Sequence, residues 1–356
     1  MTAGPAGPGS PASRMRAEIA EQPAALRRTL DSLLPRIPDV GALARDTRQV
    51  LFIARGSSDN AAVYGSYLIE VHTGRLATLG SPSIATTYRK TIDLTGVLAV
   101  AISQSGRTEE IVQTLEWAAR CGARTIAVTN GPGSPLAGVA EVALITEAGD
   151  ELAVPATKTY TTQLAALAVV GLGLGADVET ADVRRVPEEV ERLIEATEAA
   201  DALPAMIEEL ARVPGAVVSG RGLAFGTALE LALKLKEACY LHAMGLSYAD
   251  LLHGPIAVVD DETPAILVAA DSGPTLPGTI ALARRVTGAG TRAYGVGGGT
   301  ELADACSRAL PGPNLPEWVA PLALIVPGQL LVEALARKLG IDPDVPRGLN
   351  KVTQTQ

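Results

Sequence analysis

The sequence is poor in aromatic residues, cysteine and histidine. Aromatic residues make up 3% of the 356 residues, so Ala, Val and Leu must fill the hydrophobic cores. The few histidines form no HExxH motif. Three cysteines lie far apart without a CxxC pair: Cys121, Cys239 and Cys306. This pattern fits a reducing compartment and argues against a disulfide framework or a zinc site.

The sequence also lacks an excess of positive charge and a long apolar run. Lys and Arg number 30 against 39 Asp and Glu, a net charge of -9, which excludes the basic surface that nucleic-acid binding requires. The longest weakly polar run, 164–176, is shorter than the roughly 20 residues of a membrane-spanning helix. Residues 1–13 lack the charged start and apolar stretch of a signal peptide. We therefore expect a cytoplasmic protein without nucleic-acid or membrane partners.

Apolar runs and helical patterns alternate along most of the chain. The hydrophobic fraction of 47% suffices for packed cores, and the length predicts two domains at about 150 residues each. Short apolar runs followed by helical patterns occur over 49–129 and again from residue 215. This alternation is typical of parallel sheets covered on both faces. We predict an α/β protein with two doubly wound, flavodoxin-like parallel-sheet domains in tandem.

The same patterns predict the order of segments along the chain. The predicted segments are a disordered tail (1–14), an N-terminal helix (15–35), a first domain (36–176), a linker helix (177–202), a second domain (203–340) and a C-terminal tail (341–356). Prolines and a glycine interrupt the C-terminal tail, and taken alone such a segment is a frayed terminus.

A hydroxyl-rich loop, 103–108, follows one of the predicted strands. Its sequence, Ser-Gln-Ser-Gly-Arg-Thr, offers hydroxyls, an amide, a cation and backbone N–H groups at a helix N-terminus. These groups suit a phosphate dianion, and Ser57 and Ser58 follow a neighbouring strand. The alternative is a simple Ser N-cap with a Gly turn.

A line of charged residues lies on a predicted helix in the second domain. Glu230, Lys234 and Glu237 are spaced at i, i+4 and i+7 in a helix that is otherwise mostly Ala and Leu. Such pairs often stabilise a solvated helix face. If the helix is buried, a carboxylate beside an ammonium is a candidate for proton chemistry.

Three further features carry less information. His253 lies in a turn before a strand-like run, 256–259, and could move a proton on a sugar oxygen. The segment 157–163 begins a helix with many hydroxyls, which could be N-capping groups or a ligand wall. The segment 220–226 is a poor match to a dinucleotide fingerprint because its glycines have the spacing G-x-G-x-x-x-G. We expect no cofactor and no metal.

Taken together, the motifs resemble the sugar isomerase (SIS) family. The matching segments are SQSGxT (103–108), ATKxYTTQ (156–163), ALExALKLKE (228–237), HGP (253–255) and PRGLNK (346–351), in family order. The resemblance runs from about Met15 to the end. It is most specific for the tandem-SIS isomerase half of glucosamine-6-phosphate synthase and for the stand-alone amino-sugar phosphate deaminases.

The resemblance implies a hexose or hexosamine 6-phosphate as substrate and assigns roles to residues. Glu237 would move a proton between C1 and C2, with Lys234 beside it. His253 would open the sugar ring in the partner subunit's site, which implies a homodimer. Lys351 would lie near the carbonyl end of the sugar, so the C-terminal tail would close the site. The implied phosphate-binding residues are Ser58, Ser103, Gln104, Ser105 and Thr108, and the implied pocket residues are Ser57, Val154, Ala156, Thr157 and Lys158.

The chain departs from the family pattern at three points. Arg107 stands where the synthase has Glu, and Ala156 stands where the family often has Ser. Residue 2 is Thr, and only a short helix precedes the first SIS unit, so we expect no glutaminase domain and no ammonia derived from glutamine. The predicted reaction is therefore glucosamine 6-phosphate to fructose 6-phosphate plus ammonia.

Two alternatives stay open. The chain could be a lyase or dehydratase that removes the C2 proton of N-acetylglucosamine 6-phosphate and expels the 3-oxygen substituent. It could instead be a non-enzymatic SIS module that senses sugar phosphates, although retention of Glu237, His253 and Lys351 favours an enzyme.

Overall fold

The computed structural model describes residues 13–351, and its contacts divide them into two compact units. The first unit comprises 24–150 and 158–184, and the second comprises 13–23, 151–157 and 185–351. Each unit contains one parallel sheet of five strands, which confirms the prediction of two parallel-sheet α/β domains. The contacts group 151–157 with the second unit, although the sequence predicts them in the first domain. The exact domain limits stay a prediction.

The predicted N-terminal helix over 15–35 is divided in two. Helix α1 is Arg14–Ala20 and helix α2 is Gln22–Leu33, followed by a 3-10 turn, Leu34–Arg36. Pro23 has no N–H to donate to the carbonyl of Ile19, and the Gln22 side chain donates to that carbonyl instead, at 3.2 Å. Ser13 caps α1 through its hydroxyl, while residues 1–12 of the predicted tail lie outside the described residues.

The first unit is built on five short strands. They are β1 (Gln49–Ile53), β2 (Leu76–Leu79), β3 (Val97–Ile102), β4 (Arg124–Thr129) and β5 (Val142–Ile145), in the order β2-β1-β3-β4-β5. Five of the six residues of β3 are buried, as its apolar sequence predicts. The helices after α2 are α3 (Ile37–Leu43), α4 (Ser57–Thr73), α5 (Ser83–Thr86), α6 (Glu109–Arg120), α7 (Pro135–Val139), α8 (Lys158–Gly173) and α9 (Thr180–Arg184).

The second unit repeats this strand order. Its strands are β6 (Gly215–Gly220), β7 (His242–Ser247), β8 (Ala265–Ala269), β9 (Ala293–Gly297) and β10 (Arg308–Leu310), in the order β10-β9-β8-β6-β7. Its remaining helices are α10 (Val186–Glu198), α11 (Ala202–Leu210), α12 (Phe225–Cys239), α13 (Tyr248–Leu252), α14 (Leu276–Gly288), α15 (Gly299–Ala305), α16 (Pro321–Leu324) and α17 (Val326–Lys338). The predicted linker over 177–202 contains α9 and α10.

The strand-like run 256–259 is not a strand. It forms a 3-10 helix, Pro255–Val258, because Gly254 turns the chain at a φ of 129° and Pro255 fixes its own φ. The strand that pairs with β6 at the edge of the sheet is β7, which the sequence did not predict. Its apolar residues are interrupted by His242, Gly245 and Ser247, so it lacks the continuous apolar run of a central strand.

Candidate active site

The first unit places the hydroxyl-rich loop and the Ser57-Ser58 pair at the ends of neighbouring strands. Strands β1 and β3 are paired in parallel, with Ile53 opposite Ala101. Ser57 and Ser58 begin α4 just after β1, and the loop 103–108 follows β3. Because the carboxyl ends of parallel strands meet at one edge, these hydroxyls share one side of the sheet.

Hydrogen bonds within the loop 103–108 hold its backbone in a tight turn. The N–H of Gly106 donates to the Ser103 hydroxyl at 3.2 Å, and the N–H of Arg107 donates to the Ser105 hydroxyl at 3.2 Å. Gly106 has a φ of 61°, and a Cβ there would lie 2.2 Å from the Ser134 hydroxyl. Only glycine fits this position without strain.

The N-terminus of α6 directly follows this loop. Thr108 occupies the N-cap position, but its side chain makes no capping hydrogen bond. Arg55 forms a two-pronged ion pair with Glu110, at 3.2 and 3.1 Å, which ties the end of β1 to the first turn of α6. The positive end of a 12-residue helix beside the hydroxyls of the loop 103–108 is an arrangement suited to a phosphate group.

The residues predicted as a substrate pocket are divided between the units. Ser57 and Lys158 belong to the first unit, where Lys158 begins α8 and is 2% exposed. Val154, Ala156 and Thr157 belong to the second unit. Their roles stay predictions.

Helix α12 carries the predicted line of charges, and the structure buries most of it. The Lys234 ammonium lies 3.4 Å from Glu230 Oε1 and 2.5 Å from Glu237 Oε2. The side chains of Glu230 and Lys234 are 0% and 1% exposed, whereas that of Glu237 is 23% exposed. The solvated-face interpretation is therefore wrong for Glu230 and Lys234, and Glu237 is the member of the cluster that a small molecule can reach.

The charge of Lys234 is maintained by its carboxylate neighbours. Burial lowers the pKa of Lys234, but Glu230 and Glu237, with a contribution from Glu151, outweigh this effect and hold the pKa above its ordinary value of 10.5. This direction favours the ammonium form of Lys234, which can stabilise negative charge but cannot accept a proton.

Lys351 is bound within the second unit by the segment 151–153. Its ammonium donates to Glu151 Oε2 at 2.6 Å and to the carbonyl of Ala153 at 2.7 Å. The Glu151 side chain is fully buried, and its other oxygen accepts from the N–H of Thr157 at 2.9 Å. Glu151 is a residue that the sequence analysis missed.

The rest of the C-terminal segment is also held in place. The carbonyl of Asp344 accepts from the N–H of Val154 at 2.9 Å. The backbone N–H of Arg347 donates to the Tyr240 hydroxyl at 2.7 Å, and its guanidinium lies 4.2 Å from the centre of that ring. These contacts exclude a frayed terminus up to Lys351, while 352–356 lie outside the described residues.

His253 lies at the C-terminal end of α13 and is exposed. Its backbone N–H donates to the carbonyl of Asp250 at 3.0 Å. Large apolar side chains near it are also exposed: Leu252 at 38% and Val258 at 42%.

Glu18 on α1 is a second residue that the sequence analysis missed. Its Oε1 accepts from the N–H groups of Leu152 and Ala153. Glu18 and Gln22 lie on the helix face that also buries Met15 and Ile19, at i, i+3, i+4 and i+7. The presence of a charged residue among apolar residues at helical spacing is the sequence signal that could have revealed Glu18.

Two features of residues 13–351 concern membrane and metal binding. No helix in this range is long and apolar enough to span a membrane. No group of three or more His, Cys, Asp or Glu residues there is arranged to hold a metal ion.

Comparison with known sequences identifies relatives over most of the chain. The SIS domain model matches residues 43–172. A glutamine–fructose-6-phosphate aminotransferase (isomerizing) from Methanothermobacter thermautotrophicus is 34% identical over 351 residues, covering 95% of this chain and 56% of the relative. The chain thus spans about half the length of the curated relatives it matches.

Comparison with solved structures gives matches over nearly the whole chain. The C-terminal domain of a glucosamine-fructose-6-phosphate aminotransferase from Francisella tularensis has a TM-score of 0.83 and 28% identity, covering 96% of this chain and 100% of that one. A glucosamine-6-phosphate deaminase from Thermotoga maritima has a TM-score of 0.76 and 25% identity, with coverage of 96% and 100%.

A third solved structure has higher identity. A candidate phosphosugar isomerase from Silicibacter pomeroyi has a TM-score of 0.85 and 34% identity, covering 93% of this chain and 100% of that one. Because this relative is covered completely and the SIS model spans the loop 103–108, the chain belongs to the SIS, or sugar isomerase, family.

Proposed function

We propose that this chain is a sugar-phosphate isomerase that deaminates glucosamine 6-phosphate to fructose 6-phosphate. The observation that carries the proposal is the charged cluster of α12, where a buried ammonium contacts a partly exposed carboxylate. Relatives named as an aminotransferase acting on fructose 6-phosphate and as a glucosamine-6-phosphate deaminase support the substrate class. The doubly wound form of both sheets belongs to the same proposal, supported by their shared strand order.

The 6-phosphate is assigned to the first unit. Ser58, Ser103, Gln104, Ser105 and Thr108 would donate hydrogen bonds to its oxygens, and the N-terminus of α6 would favour its negative charge. These contacts would be equal in the ground state and the transition state, so their loss should raise KM more than it lowers kcat.

The proton transfers are assigned to Glu237. In the open-chain aldose, Glu237 would remove the proton from C2 and return it to C1. The aldehyde oxygen gains a proton and the amino group loses one, so the 2-amino aldehyde becomes a C2 imine with a hydroxyl at C1. Water would add to that imine, and ammonia would leave to give the 2-ketose. The ammonium of Lys234, 2.5 Å from Glu237, would hold the carboxylate in place during both transfers.

Lys351 and His253 would act at the carbonyl and ring oxygens. Lys351 would stabilise negative charge on the open-chain intermediate near C1 and C2. His253 would protonate the ring oxygen during ring opening, in the site of a partner subunit within a homodimer. Its exposure beside exposed apolar side chains supports an interface at this surface.

The decisive experiment is a panel of hexosamine and hexose 6-phosphates, free and N-acetylated. Ammonia, ketose and unsaturated products are measured in parallel. We expect ammonia and fructose 6-phosphate in equal amounts from glucosamine 6-phosphate. E237Q should lower kcat by about 10²–10⁴-fold while still binding the sugar phosphate.

Other outcomes would select a different function. Loss of water from an N-acetylated substrate with the acetamido group intact would identify a lyase. Aldose–ketose interconversion without release of ammonia would identify an isomerase that has no deaminase activity. Binding without any conversion would identify a sensor, and full activity of E237Q would remove Glu237 from the mechanism.

A further inference from the structure

Glu18 is a buried ionisable residue that the proposed mechanism does not use. Glu18 lies on α1 and is 5% exposed. Within residues 13–351, its Oε2 has no hydrogen-bond partner. Its Oε1 accepts from two consecutive backbone N–H groups, those of Leu152 and Ala153. A buried carboxyl with one unpaired oxygen is costly for the fold, so its presence needs an explanation.

The backbone that Glu18 holds carries both of the groups that bind Lys351. Glu151 and Ala153 flank Leu152, and each accepts a hydrogen bond from the Lys351 ammonium, at 2.6 and 2.7 Å. Movement of this short segment would displace both acceptors together. Glu18 is therefore linked to Lys351 through the backbone of this segment.

A second set of hydrogen bonds closes a ring around the same segment. The Ala153 carbonyl and the Val154 N–H belong to one planar peptide group. The carbonyl accepts from Lys351, and the N–H donates to the carbonyl of Asp344. The Asp344 carboxylate accepts from the N–H groups of Arg14 and Met15, at 2.9 and 2.8 Å, in the first turn of α1. Helix α1 thus contacts both the segment 151–154 and the C-terminal segment that ends in Lys351.

We propose that Glu18 is a positioning residue that fixes the Lys351 ammonium by holding the backbone of 152 and 153. This inference rests on the proposed function for the role of Lys351. It adds α1, which carries none of the assigned site residues, to the machinery of the reaction.

Either protonation state of Glu18 is compatible with this role. Burial and the nearby Glu151 raise its pKa, while the N–H groups of Leu152 and Ala153 and the Lys351 ammonium partly offset the rise. Oε1 can accept hydrogen bonds from the two N–H groups whether the carboxyl is charged or neutral. Glutamine offers the same acceptor, so E18Q is the conservative variant.

The test is a double-mutant cycle between Glu18 and Lys351. Steady-state kinetics on glucosamine 6-phosphate are measured for E18A, E18Q, K351A and E18A/K351A. We expect E18A to lower kcat by about 10–100-fold with little change in KM, because a misplaced ammonium affects the chemical step. E18Q should retain most of kcat. In the K351A background, E18A should have no further effect, since Glu18 acts only through Lys351.

Hydrogen exchange gives a second readout that does not depend on activity. We expect E18A to increase exchange in the peptides covering 151–154 and 344–351, and E18Q to leave it unchanged. E21A is the matched control, because Glu21 is an exposed acid at the end of the same helix. If E18A does not fold, E18D, whose carboxyl is one methylene shorter, replaces it in the cycle.

The outcomes separate this inference from the proposed function. If E18A lowers kcat by the same factor with and without Lys351, or leaves exchange of both peptides unchanged, the positioning role is excluded. If K351A retains wild-type activity, the proposed role of Lys351 fails. If no sugar phosphate is converted, the proposed function fails. In both cases the exchange experiment still decides whether Glu18 holds the segment.

Discussion

Lys234 shows at the scale of one residue how a buried charge is tolerated. The side chain is 1% exposed, and two carboxylates of its own helix lie within 3.4 Å. Spacing at i−4 and i+3 brings Glu230 and Glu237 to the same face of α12 as Lys234. The ammonium is therefore paired mainly within its own helix, with a further contribution from the distant Glu151.

Removal of this ammonium should destabilise the fold. We expect K234M to lower the free energy of unfolding by about 3–5 kcal/mol, because the buried Glu230 carboxyl would lose its neighbouring cation. Chemical denaturation measures this change. K236M is the matched control, since Lys236 is exposed on the same helix, and it should stay within about 0.5 kcal/mol of wild type. Equal stability of the two variants would contradict the buried pair.

At the scale of an element, the loop 103–108 depends on one glycine. Gly106 has a positive φ, and an added Cβ would also lie 2.8 Å from the Thr129 hydroxyl. A residue with a side chain must therefore move the loop or the groups that pack against it. The turn therefore depends on the backbone conformation of Gly106 together with the hydrogen bonds to the Ser103 and Ser105 hydroxyls.

G106A should weaken binding of the sugar phosphate more than it affects the chemistry. We expect at least about a tenfold rise in the Kd for the sugar phosphate and a loss of about 1–3 kcal/mol of stability from backbone strain. Calorimetric titration and denaturation measure the two effects. G133A is the control, because no atom lies within 4 Å of a Cβ at Gly133 in the next loop. Unchanged affinity of G106A would count against the phosphate loop.

A second element-scale contact joins α11 to strands β9 and β10. Glu209 accepts from the Tyr294 hydroxyl at 2.7 Å and from Arg308 Nε at 2.9 Å. Burial raises the pKa of Glu209, but these hydrogen bonds outweigh it and hold the pKa below its ordinary value of 4.5.

The lowered pKa of Glu209 predicts that part of the free energy of unfolding is lost at acidic pH. Because the folded pKa is lower than the unfolded pKa, the contribution of Glu209 is present above the unfolded pKa and is lost as the pH falls through the folded pKa. We expect the unfolding free energy of wild type to fall more steeply than that of E209Q on acidification below pH 4.5. Parallel pH profiles of the two proteins in urea denaturation would contradict this assignment.

At the scale of the whole molecule, the proposed homodimer can be tested by complementation. If His253 acts in the partner's site, H253A and E237Q are each inactive alone, but a mixed dimer has one intact site. Equal mixing after reversible dissociation should restore about a quarter of wild-type activity, because half of the dimers are mixed and one of their two sites is intact. Verified mixed dimers without activity would show that His253 does not act across the interface.

Much of the architecture could be read from local patterns. The apolar runs 49–54, 97–102, 124–128 and 215–218 correspond to buried strands of two parallel sheets, because continuous burial leaves a continuous apolar signature. Strand β7 was missed because an edge strand has no such signature. The run 256–259 was misassigned because its apolar residues do not reveal the turn that Gly254 and Pro255 impose.

The candidate site likewise has one part that local sequence predicts and another part that it does not. The sequence by itself determined the SIS membership, the loop 103–108 and the line of charges on α12, since each is a pattern of neighbouring residues. Only the tertiary structure decided that Glu151 binds Lys351, 200 residues away, and that Glu18 on α1 accepts hydrogen bonds from residues 152 and 153. Local spacing encodes which face of a helix or strand a residue occupies, but a pairing between distant segments depends on how the whole unit packs.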